Sequence, residues 1–483
     1  MMTGLKTLCL LAVGAVVLSG AQAQFISVAP GGSGFTSDTC ENVALALYQS
    51  WECVEAGAGV TGGGPNGLAT QFAAARKANL NTVRFNAFAT MEGQNLQLPS
   101  GRYNATLLVG LDQAIAEAAD AGLKIILTLA TNWDYTGTAS DTKAFYTNLS
   151  RTAGGPDDFW TDNGAITAYL AHVKNITSRV NTVNGLAYNE DPAIMAYDLI
   201  NEGRCDSSNC TATDIQNWIE RVAPVVKTYI PRQLLTVGQE GFWQADNCAA
   251  NTQNPVPNNE GGSVSWPIQT GQNFLSNHAV DAIDFTSVHL APVNWARTDN
   301  VFSTAWLNGH SDQSTIIQKP MILELFSTQI GADGFTQTNS SNLYKLVYAI
   351  TEASINTDSP IRGIGFQLWD KVRLSPNAAG VDNKTIVSST SPAWEDTIVP
   401  FAGRIANRCP ASGPASAPAP APSSTAASAR RHLLQAARRI APSTTPSASA
   451  DAPAPSYNPA TINSQVGKHL EVVCVVCGMS AAT

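Results

Sequence analysis

The sequence predicts an α/β protein with a (β/α)8 (TIM) barrel, and two patterns support this prediction. Short apolar segments rich in β-branched residues recur along residues 24–409, and most of them end abruptly in polar residues. Amphipathic segments with the period of a helix lie between them. Because strands that are buried on both faces read as continuous apolar runs, repeated strand and helix units of this kind predict a closed parallel barrel.

The predicted strands are separated by segments long enough to hold a helix. In chain order, the strands are NVALALYQSW from Asn42, NTVRFNAF from Asn81, LKIILTLATNW from Leu123, AIMAYDLINE from Ala193, QLLTVGQEGF from Gln233, AIDFTSVHL from Ala282, KPMILELF from Lys319 and RGIGFQLWD from Arg362. The clearest predicted helices span 68–80, 107–123, 166–181 and 215–230. Catalytic groups of such barrels lie at the C-terminal ends of the strands, so the polar residues there are the candidates.

The N-terminus has the pattern of a secretory signal peptide. Lys6 precedes an apolar run over residues 8–18, and Ala21 and Ala23 supply the small residues that signal peptidase needs. We therefore predict a signal peptide over residues 1–23, cleavage before Gln24 and an extracellular location. The run has eleven residues, fewer than the ~20 that cross a bilayer, so we expect no membrane attachment after signal removal.

The composition changes sharply after Cys409. Residues 410–465 are dominated by Pro, Ala, Ser and Thr, which cannot build a core, so we predict a disordered low-complexity linker. For its basic patch of four arginines at 430, 431, 438 and 439 we favour a solvated, protease-sensitive spacer, with an amphipathic helix or a processing site as the alternatives. Residues 466–483 are too few to fold alone, and we assign no role to this tail.

Cysteines and glycosylation triplets agree with secretion. Eight cysteines remain after removal of the signal, and their local spacing suggests that Cys40 pairs with Cys53 and Cys205 with Cys210. Six Asn-X-Ser/Thr triplets, which fit a secreted surface, begin at Asn104, Asn148, Asn175, Asn209, Asn339 and Asn383.

Charge and motifs narrow the class of ligand. The net charge of −9 and the pI near 5.2 provide no basic field for a phosphate backbone, so we expect no nucleic acid partner. The sequence has no metal-ligand spacing of the HExxH kind, no nucleophile elbow and no phosphate loop after a strand. We therefore expect neither a metal nor a cofactor.

Three glutamates, an arginine and a histidine stand at the ends of the predicted strands. The polar and aromatic residues at these ends are Arg84, Asn132, Trp133, Asn201, Glu202, Glu240, His289, Glu324 and Trp369. Two carboxyl groups across an aromatic-lined groove suit glycoside hydrolysis, in which one protonates the glycosidic oxygen and the other attacks the anomeric carbon from ~5 Å away. Trp133, Trp243 and Trp295 are candidate platforms for sugar rings, with core packing as the alternative for each. The alternative for Glu202 is a simple ion pair with Arg204.

A series of motifs follows in order along residues 35–409. They are DDFWTD from Asp157, RVNTVNGLAYNEDPAIMAYDLINEGRC from Arg179, WIERV from Trp218, LLTVGQEGFW from Leu234, GQNF from Gly271, IDFTSVHLAPVNW from Ile283 and KPMILELFS from Lys319. Together these segments resemble glycoside hydrolase family 5 and, within it, the secreted endo-β-1,4-mannanases of plants, algae and fungi.

The resemblance implies a role for each matching residue. Glu202 would be the general acid/base, Asn201 its neighbour that holds the sugar 2-hydroxyl, Arg84 the support of an ionised nucleophile, and His289 a residue that lines the cleaved subsite. The other residues expected to contact substrate are Asn132, Trp133, Trp295, and Phe366 or Trp369. We expect a monomer that acts on a polysaccharide: mannan, glucomannan or cellulose.

Several positions depart from the family pattern. Gly203 stands in place of the proline of Asn-Glu-Pro-Arg, and Asn86 replaces an aromatic residue after the strand-two arginine. Ala291 stands where a tyrosine usually donates a hydrogen bond to the nucleophile. The eighth-strand pattern Phe-Trp-Gln-Leu reads GFQL from Gly365, so its tryptophan is displaced.

The departure in the seventh strand bears directly on catalysis. In the family the nucleophile stands immediately before an aromatic-Gly pair, and anchoring on Lys319 and Phe326 places Leu325 there instead of Glu324. Side chains alternate across a strand, so Glu324 is expected to face away from the groove unless a bulge shifts the register by one residue. Two hypotheses follow. The first is a retaining endo-β-mannanase, or an endoglucanase of the same family, with Glu202 and Glu324 as its catalytic pair; the second is a silent barrel that binds polysaccharide without cleaving it.

Overall fold

The computed structural model describes most of the predicted barrel region. The described residues are 24–60, 64–150, 152–244, 253–255, 265–295, 297, 299–328, 336–357, 359–367, 391–406 and 408. The predicted signal peptide, the linker, the tail, the triplet at Asn383 and the candidate platform Trp369 lie outside the described residues.

Eight parallel strands form the barrel, which confirms the predicted fold. Their order in the sheet is β8-β7-β6-β5-β4-β11-β10-β9. The strands are β4 (Leu45–Gln49), β5 (Thr82–Asn86), β6 (Lys124–Thr128), β7 (Ile194–Asp198), β8 (Leu234–Thr236), β9 (Thr286–Leu290), β10 (Met321–Phe326) and β11 (Ile361–Gln367). Seven of them lie within the segments predicted from the sequence, and β11 begins one residue before its predicted segment.

Helices pack around the outside of the sheet. They are α1 (Cys53–Gly57), α2 (Gly64–Lys77), α3 (Ala105–Asp120), α4 (Lys143–Leu149), α5 (Asn163–Thr177), α6 (Ala212–Tyr229), α7 (Trp266–Gln269), α8 (Phe274–Ala279), α9 (Asn300–Ile316), α10 (Gln337–Asn356) and α11 (Val399–Ala406). The four helices predicted from periodicity are α2, α3, α5 and α6, and each begins two to four residues earlier than predicted. Side-chain caps fix these starts: Thr211 and Asp214 form a reciprocal capping box at α6, which satisfies backbone N–H groups that the first helical turn leaves free.

A small antiparallel sheet closes the N-terminal end of the barrel. It consists of β1 (Ser27–Val28), β2 (Phe35–Ser37) and β3 (Cys40–Val43), paired in that order. Phe35 packs edge-on against Phe285 with 5.7 Å between ring centroids, and it shares an apolar cluster with barrel residues such as Leu45 and Ile322. The other end of the barrel, at the C-terminal ends of the strands, is not covered by this sheet, and the candidate active site lies there.

The barrel closes between β8 and β9 through a few individual hydrogen bonds. The N–H of Asp284 donates to the carbonyl of Leu235 at 2.8 Å, and the hydroxyl of Thr236 donates to the carbonyl of Phe285 at 2.9 Å. Further along, the N–H of His289 donates to the carbonyl of Glu240 at 3.1 Å. This junction, which we call the seam, lacks the continuous parallel ladder that joins the other neighbouring strands.

Strand β10 contains a bulge at Glu324. Its neighbour β9 pairs Val288 with Leu323 and His289 with Leu325, so one residue of β10 has no counterpart. The pairing of β10 with β11 shifts at the same place. The exception allowed for in the sequence, a bulge that shifts the register by one residue, is therefore present.

One predicted disulfide is confirmed and the other is wrong. Cys205 and Cys210 are bonded, with 5.4 Å between their Cα atoms. Cys53 is a free, buried thiol, whereas Cys40 is disulfide-bonded to another cysteine. Proximity in sequence misled the prediction because Cys53 begins α1 and packs in the barrel core. Among the described residues, no helix is long and apolar enough to cross a membrane.

Candidate active site

A groove of about 470 Å³ lies at the C-terminal ends of the strands. It is lined by Trp133, Tyr135, Glu202, Arg204, Glu240, Trp266, Ala291, Asn294 and Trp295. Three indole rings, one phenol and two carboxyl groups therefore face the same open space. This is the chemistry of a carbohydrate groove, in which rings stack on sugar faces and polar groups fix hydroxyls.

Glu202 follows β7 and projects into the groove. Its backbone adopts a left-handed φ of 52°, which is unusual for a residue with a side chain and marks a position fixed by its surroundings. Its N–H donates to the carbonyl of Gly238 at 2.7 Å. Both carboxyl oxygens are occupied: Oε1 contacts Nδ1 of His289 at 2.7 Å, and Oε2 accepts from the indole N–H of Trp133 at 2.6 Å.

Glu324 lies inside the barrel beneath this pair. Its side chain is fully buried, and Oε2 is 3.7 Å from both Nε2 of His289 and Nε of Arg84. These are electrostatic contacts rather than hydrogen bonds, because 3.7 Å exceeds the normal donor–acceptor range. The two nitrogens of one imidazole therefore face the two candidate catalytic carboxyl groups, one on each side.

Arg84 is held by polar groups inside the barrel. Its Nε donates to Asp198 at 2.7 Å, one Nη to Gln49 at 2.7 Å and the other to Asn201 at 3.1 Å. Asp198 also accepts from the hydroxyl of Thr128 at 2.8 Å. Arg84 is thus a buried cation shared between Asp198 and Glu324, without exposed surface for a substrate.

The surroundings shift the titration of the three central groups in different directions. Burial acts to raise the pKa of Glu202, but the hydrogen bond and charge of His289, with Arg204 and Trp133, lower it overall. Burial acts to lower the pKa of His289, but Glu202 and Glu324 raise it to about 9. Burial and the Asp198 carboxylate raise the pKa of Glu324 to about 7, against the effect of Arg84 and His289. These shifts favour the ionised form of Glu202 and the protonated forms of His289 and Glu324.

Arg204 forms the other charged centre of the groove. It pairs with Glu240 through a hydrogen bond of 2.6 Å from Nε and through an Nη contact. Its guanidinium lies 5.1 Å from the ring centroid of Trp133 and 5.5 Å from that of Trp266, which is within the range of cation–π attraction. The alternative in which Glu202 only pairs with Arg204 is wrong, because Glu202 pairs with His289 instead.

The structure separates the predicted platform residues into groups. Trp133 and Trp295 line the groove. Trp243 is fully buried and donates its indole N–H to Gln313 at 2.8 Å, so its prediction as a platform is wrong. Phe366 is also fully buried, stacked on Tyr48 at 6.3 Å between centroids, and it offers no face to a sugar. Both aromatic rings pack in the core because removal of their apolar surface from water stabilises the fold.

Two predicted amide residues have structural partners in the site. The side-chain oxygen of Asn132 accepts from the N–H of Arg204 at 3.2 Å. Asn201 is buried between Arg84 and the hydroxyl of Tyr135, to which its amide lies at 3.5 Å. Their roles in holding a substrate stay predictions.

Sequence reasoning missed Asp198, Tyr135 and Trp266, and it named Glu240 without a role. The signal for Asp198 was available, since an acidic residue inside the apolar run AYDLI is costly unless it is paired. Tyr135 lies in a loop and Trp266 begins the four-residue helix α7, and neither segment is long enough for a periodic pattern to predict where the side chain points. Within the described part of the chain, no group of His, Cys, Asp and Glu side chains is arranged to hold a metal.

A (β/α)8 barrel with an aromatic groove, one candidate catalytic carboxyl group in that groove and a second buried beneath it, has the architecture of the glycoside hydrolase class. Residues 24–385 match the family described as GH family 5 beta-mannosidase-like. This match spans most of the chain, and the chain belongs to that family.

Individual relatives agree with this assignment. Mannan endo-1,4-beta-mannosidase 4 of Solanum lycopersicum is 29% identical over 60% of this chain and 71% of its own length. Mannan endo-1,4-beta-mannosidase 4 of Oryza sativa subsp. japonica is 31% identical over 65% of this chain and 67% of its own length. The crystal structure of the endo-1,4-beta-mannanase from Rhizomucor miehei, at 21% identity, covers 79% of this chain and 99% of its own with a TM-score of 0.62. The last comparison supports the fold.

Proposed function

We propose that this chain is a secreted endo-β-1,4-mannanase that hydrolyses mannan-type polysaccharide with retention of configuration. The observation that carries the proposal is the placement of Glu202, which reaches into an aromatic groove between two hydrogen-bond donors, Trp133 and His289. The relatives named above are mannan endo-1,4-beta-mannosidases, which supports mannan over cellulose as the first substrate to test.

In the proposed reaction Glu202 protonates the glycosidic oxygen while Glu324 attacks the anomeric carbon. The bulge supports Glu324 in this role, because it directs the carboxyl toward Arg84 and His289. Water then hydrolyses the glycosyl ester, with Glu202 acting as the base. No cofactor enters these steps.

The resting charges are the reverse of those that this reaction needs. A retaining mechanism starts from a protonated acid and an ionised nucleophile, whereas the pKa of Glu202 is lowered and that of Glu324 is raised. The proposed mechanism therefore requires that substrate binding raise the pKa of Glu202 and lower that of Glu324 before the glycosidic oxygen is protonated.

A second candidate function is a silent barrel that binds polysaccharide. The observation that favours it is the burial of Glu324, which is absent from the groove lining, together with Leu325 at the position of the family's nucleophile. Leu325 packs in neither of the two apolar clusters of the barrel. A groove with an acid and without a reachable nucleophile would bind sugars and leave them intact.

Reducing-end release from mannan, glucomannan and cellulose by the full chain separates the two candidates. The enzyme proposal expects release from mannan that Glu324→Gln abolishes. The silent barrel expects no release, saturable binding of mannohexaose by calorimetry, and hydrolysis gained by Leu325→Glu. Strong turnover that survives Glu324→Gln would contradict Glu324 as the nucleophile.

We also propose the location and organisation of the chain. A signal peptide over residues 1–23 directs a mature monomer, free of nucleic acid and membrane, to the extracellular space. Residues 24–409 form the barrel, 410–465 a linker and 466–483 a short tail. N-terminal sequencing of secreted protein is expected to begin at Gln24, and light scattering is expected to give the mass of one chain.

A further inference from the structure

The indole of Trp133 does more than line the groove. Its N–H donates to Oε2 of Glu202 at 2.6 Å, while Oε1 is taken by His289 at 2.7 Å. Trp133 is 37% exposed, so the oxygen that it contacts is on the open side of Glu202. Oε2 is therefore the oxygen placed to meet a glycosidic bond, and it is occupied by a donor.

The position of this indole relative to Glu202 is fixed by the backbone. The N–H of Asn132 donates to the carbonyl of Asn201 at 3.0 Å, and the N–H of Asn201 donates to the carbonyl of Ala130 at 2.8 Å. The N–H of Trp133 in turn donates to the hydroxyl of Thr131 at 3.1 Å. These bonds join the loop after β6 to the loop after β7, so the contact between indole and carboxyl can change only through the side chains.

A proton on Oε2 and the indole N–H cannot occupy the same space. An N–H donor stabilises the carboxylate and opposes protonation of the oxygen that it contacts. Glu202 as an acid therefore requires the indole to withdraw from Oε2. The ring of Trp133 is exposed on the groove side, where a sugar that stacks on it competes for its position.

We propose that Trp133 is a positioning residue for Glu202: its indole N–H holds Oε2 as an unprotonated acceptor until substrate binds, and the bound sugar displaces it. Once Oε2 is released, it takes a proton from solvent and gives it to the glycosidic oxygen as the C–O bond breaks. This inference rests on the proposed role of Glu202 as the acid. It accounts for the protonation of Glu202, which is one of the two charges that must change.

Other charged or titratable groups face Glu202 and must stay constant in any test. They are His289, Arg204, Arg84, Glu240 and Tyr135. Trp133→Phe keeps an aromatic ring at the position and removes the N–H donor together with part of the ring area that packs against Arg204. Trp266→Phe is the matched control, because Trp266 also lines the groove and also packs against Arg204, while the contacts of Glu202 do not include it.

The test is a titration of Glu202 in the full chain labelled with [5-13C]glutamate, with the resonance assigned through Glu202→Gln. Loss of a hydrogen bond to a charged group is expected to raise the midpoint in Trp133→Phe by about one to two pH units, and Trp266→Phe is expected to match the wild type. Equal midpoints in all three proteins would overturn the proposal. The titration needs no turnover, so a chain that does not hydrolyse mannan still gives a readable result.

The displacement is tested separately by the indole 15N–1H resonance of Trp133. Mannohexaose is added to Glu324→Gln, which prevents turnover in the proposed mechanism. The resonance is expected to move upfield as the bond to the carboxylate is lost. A resonance that stays unchanged at saturation would contradict displacement by sugar, even if Trp133→Phe shifts the titration.

Discussion

At the residue scale, the two candidate catalytic carboxyl groups differ most in their access to solvent. The side chain of Glu202 is 19% exposed and that of Glu324 is fully buried. His289 contacts both, so protonation of any one of the three groups changes the others. The apparent pKa values in a pH profile of activity therefore belong to the three coupled groups together, and neither value can be assigned to a single residue.

Replacement of Glu202 by glutamine is expected to reduce hydrolysis of mannan by about 10²- to 10⁴-fold, because the amide cannot protonate the leaving oxygen. Aryl mannobiosides with a good leaving group need little protonation, so their loss is expected to be smaller. The control is Glu92→Gln, an exposed position outside the groove. Equal losses on both substrates would argue against an acid role for Glu202.

Glu324 makes stability depend on pH in a direction that can be worked out. Its pKa is raised from 4.5 to about 7, so the folded chain keeps a proton that the unfolded chain loses. Stability from this group is complete below about pH 4.5, declines as the pH rises toward 7, and stays reduced above it. Between pH 4.5 and 8, the free energy of unfolding of Glu324→Gln is therefore expected to fall by about 2 to 3 kcal/mol less than that of the wild type.

Urea denaturation at several pH values measures this effect, with Glu92→Gln as the control for loss of an exposed carboxyl. His289 adds a decline of the same sign at higher pH, because its raised pKa of about 9 stabilises the fold only while the imidazole is protonated. Identical pH slopes for wild type and Glu324→Gln would show that the carboxyl is ionised in the folded chain.

Residue identity alone predicted the candidates at strand ends but not their surroundings. Arg84, Glu202 and His289 meet in space because parallel strands end at one edge of the barrel. Trp243 and Phe366 show the limit of this reasoning, since a ring beside a strand end serves a core as readily as a sugar. The packing of neighbouring helices and strands decides whether such a ring lies in the core or in the groove.

At the element scale, the bulge in β10 decides where Glu324 points. Regular alternation would have turned it away from the groove, and the extra residue in the ladder directs it to Arg84 and His289 instead. The sequence permits a bulge at this position without marking it, because an insertion in strand pairing leaves no trace in composition. The apolar runs predicted where the strands lie, but they did not predict the register in which β10 pairs with its neighbours.

Gly365 in β11 is expected to be required for this bulge. A Cβ at this position would lie 2.3 Å from the carbonyl oxygen of Glu324 and 2.3 Å from Cδ1 of Leu47. Gly365→Ala is therefore expected to lower the free energy of unfolding by about 1 to 3 kcal/mol through overpacking. Gly155→Ala, where a Cβ meets open space, is the control, and a similar stability for both variants would contradict the close approach.

At the scale of the whole molecule, residues 24–409 are expected to behave as one folded unit. Brief trypsin treatment is expected to cleave near the arginines at 430, 431, 438 and 439, because low-complexity segments are accessible to proteases. A fragment that retains the barrel should keep its thermal unfolding midpoint, measured by circular dichroism. Cleavage within residues 24–409 before cleavage at the arginines would contradict the proposed boundary at residue 409. A lower unfolding midpoint after removal of the linker and tail would also contradict it.

The seam between β8 and β9 runs directly beneath the groove. Because separate hydrogen bonds close it, amides over residues 234–240 and 284–289 are expected to exchange with deuterium sooner than those of β5 and β6. Glu240 and His289 lie on opposite sides of this seam. Opening of these bonds is expected to change the width of the groove between the two residues, while the hydrogen-bonded ladders of the other strands keep the rest of the barrel closed.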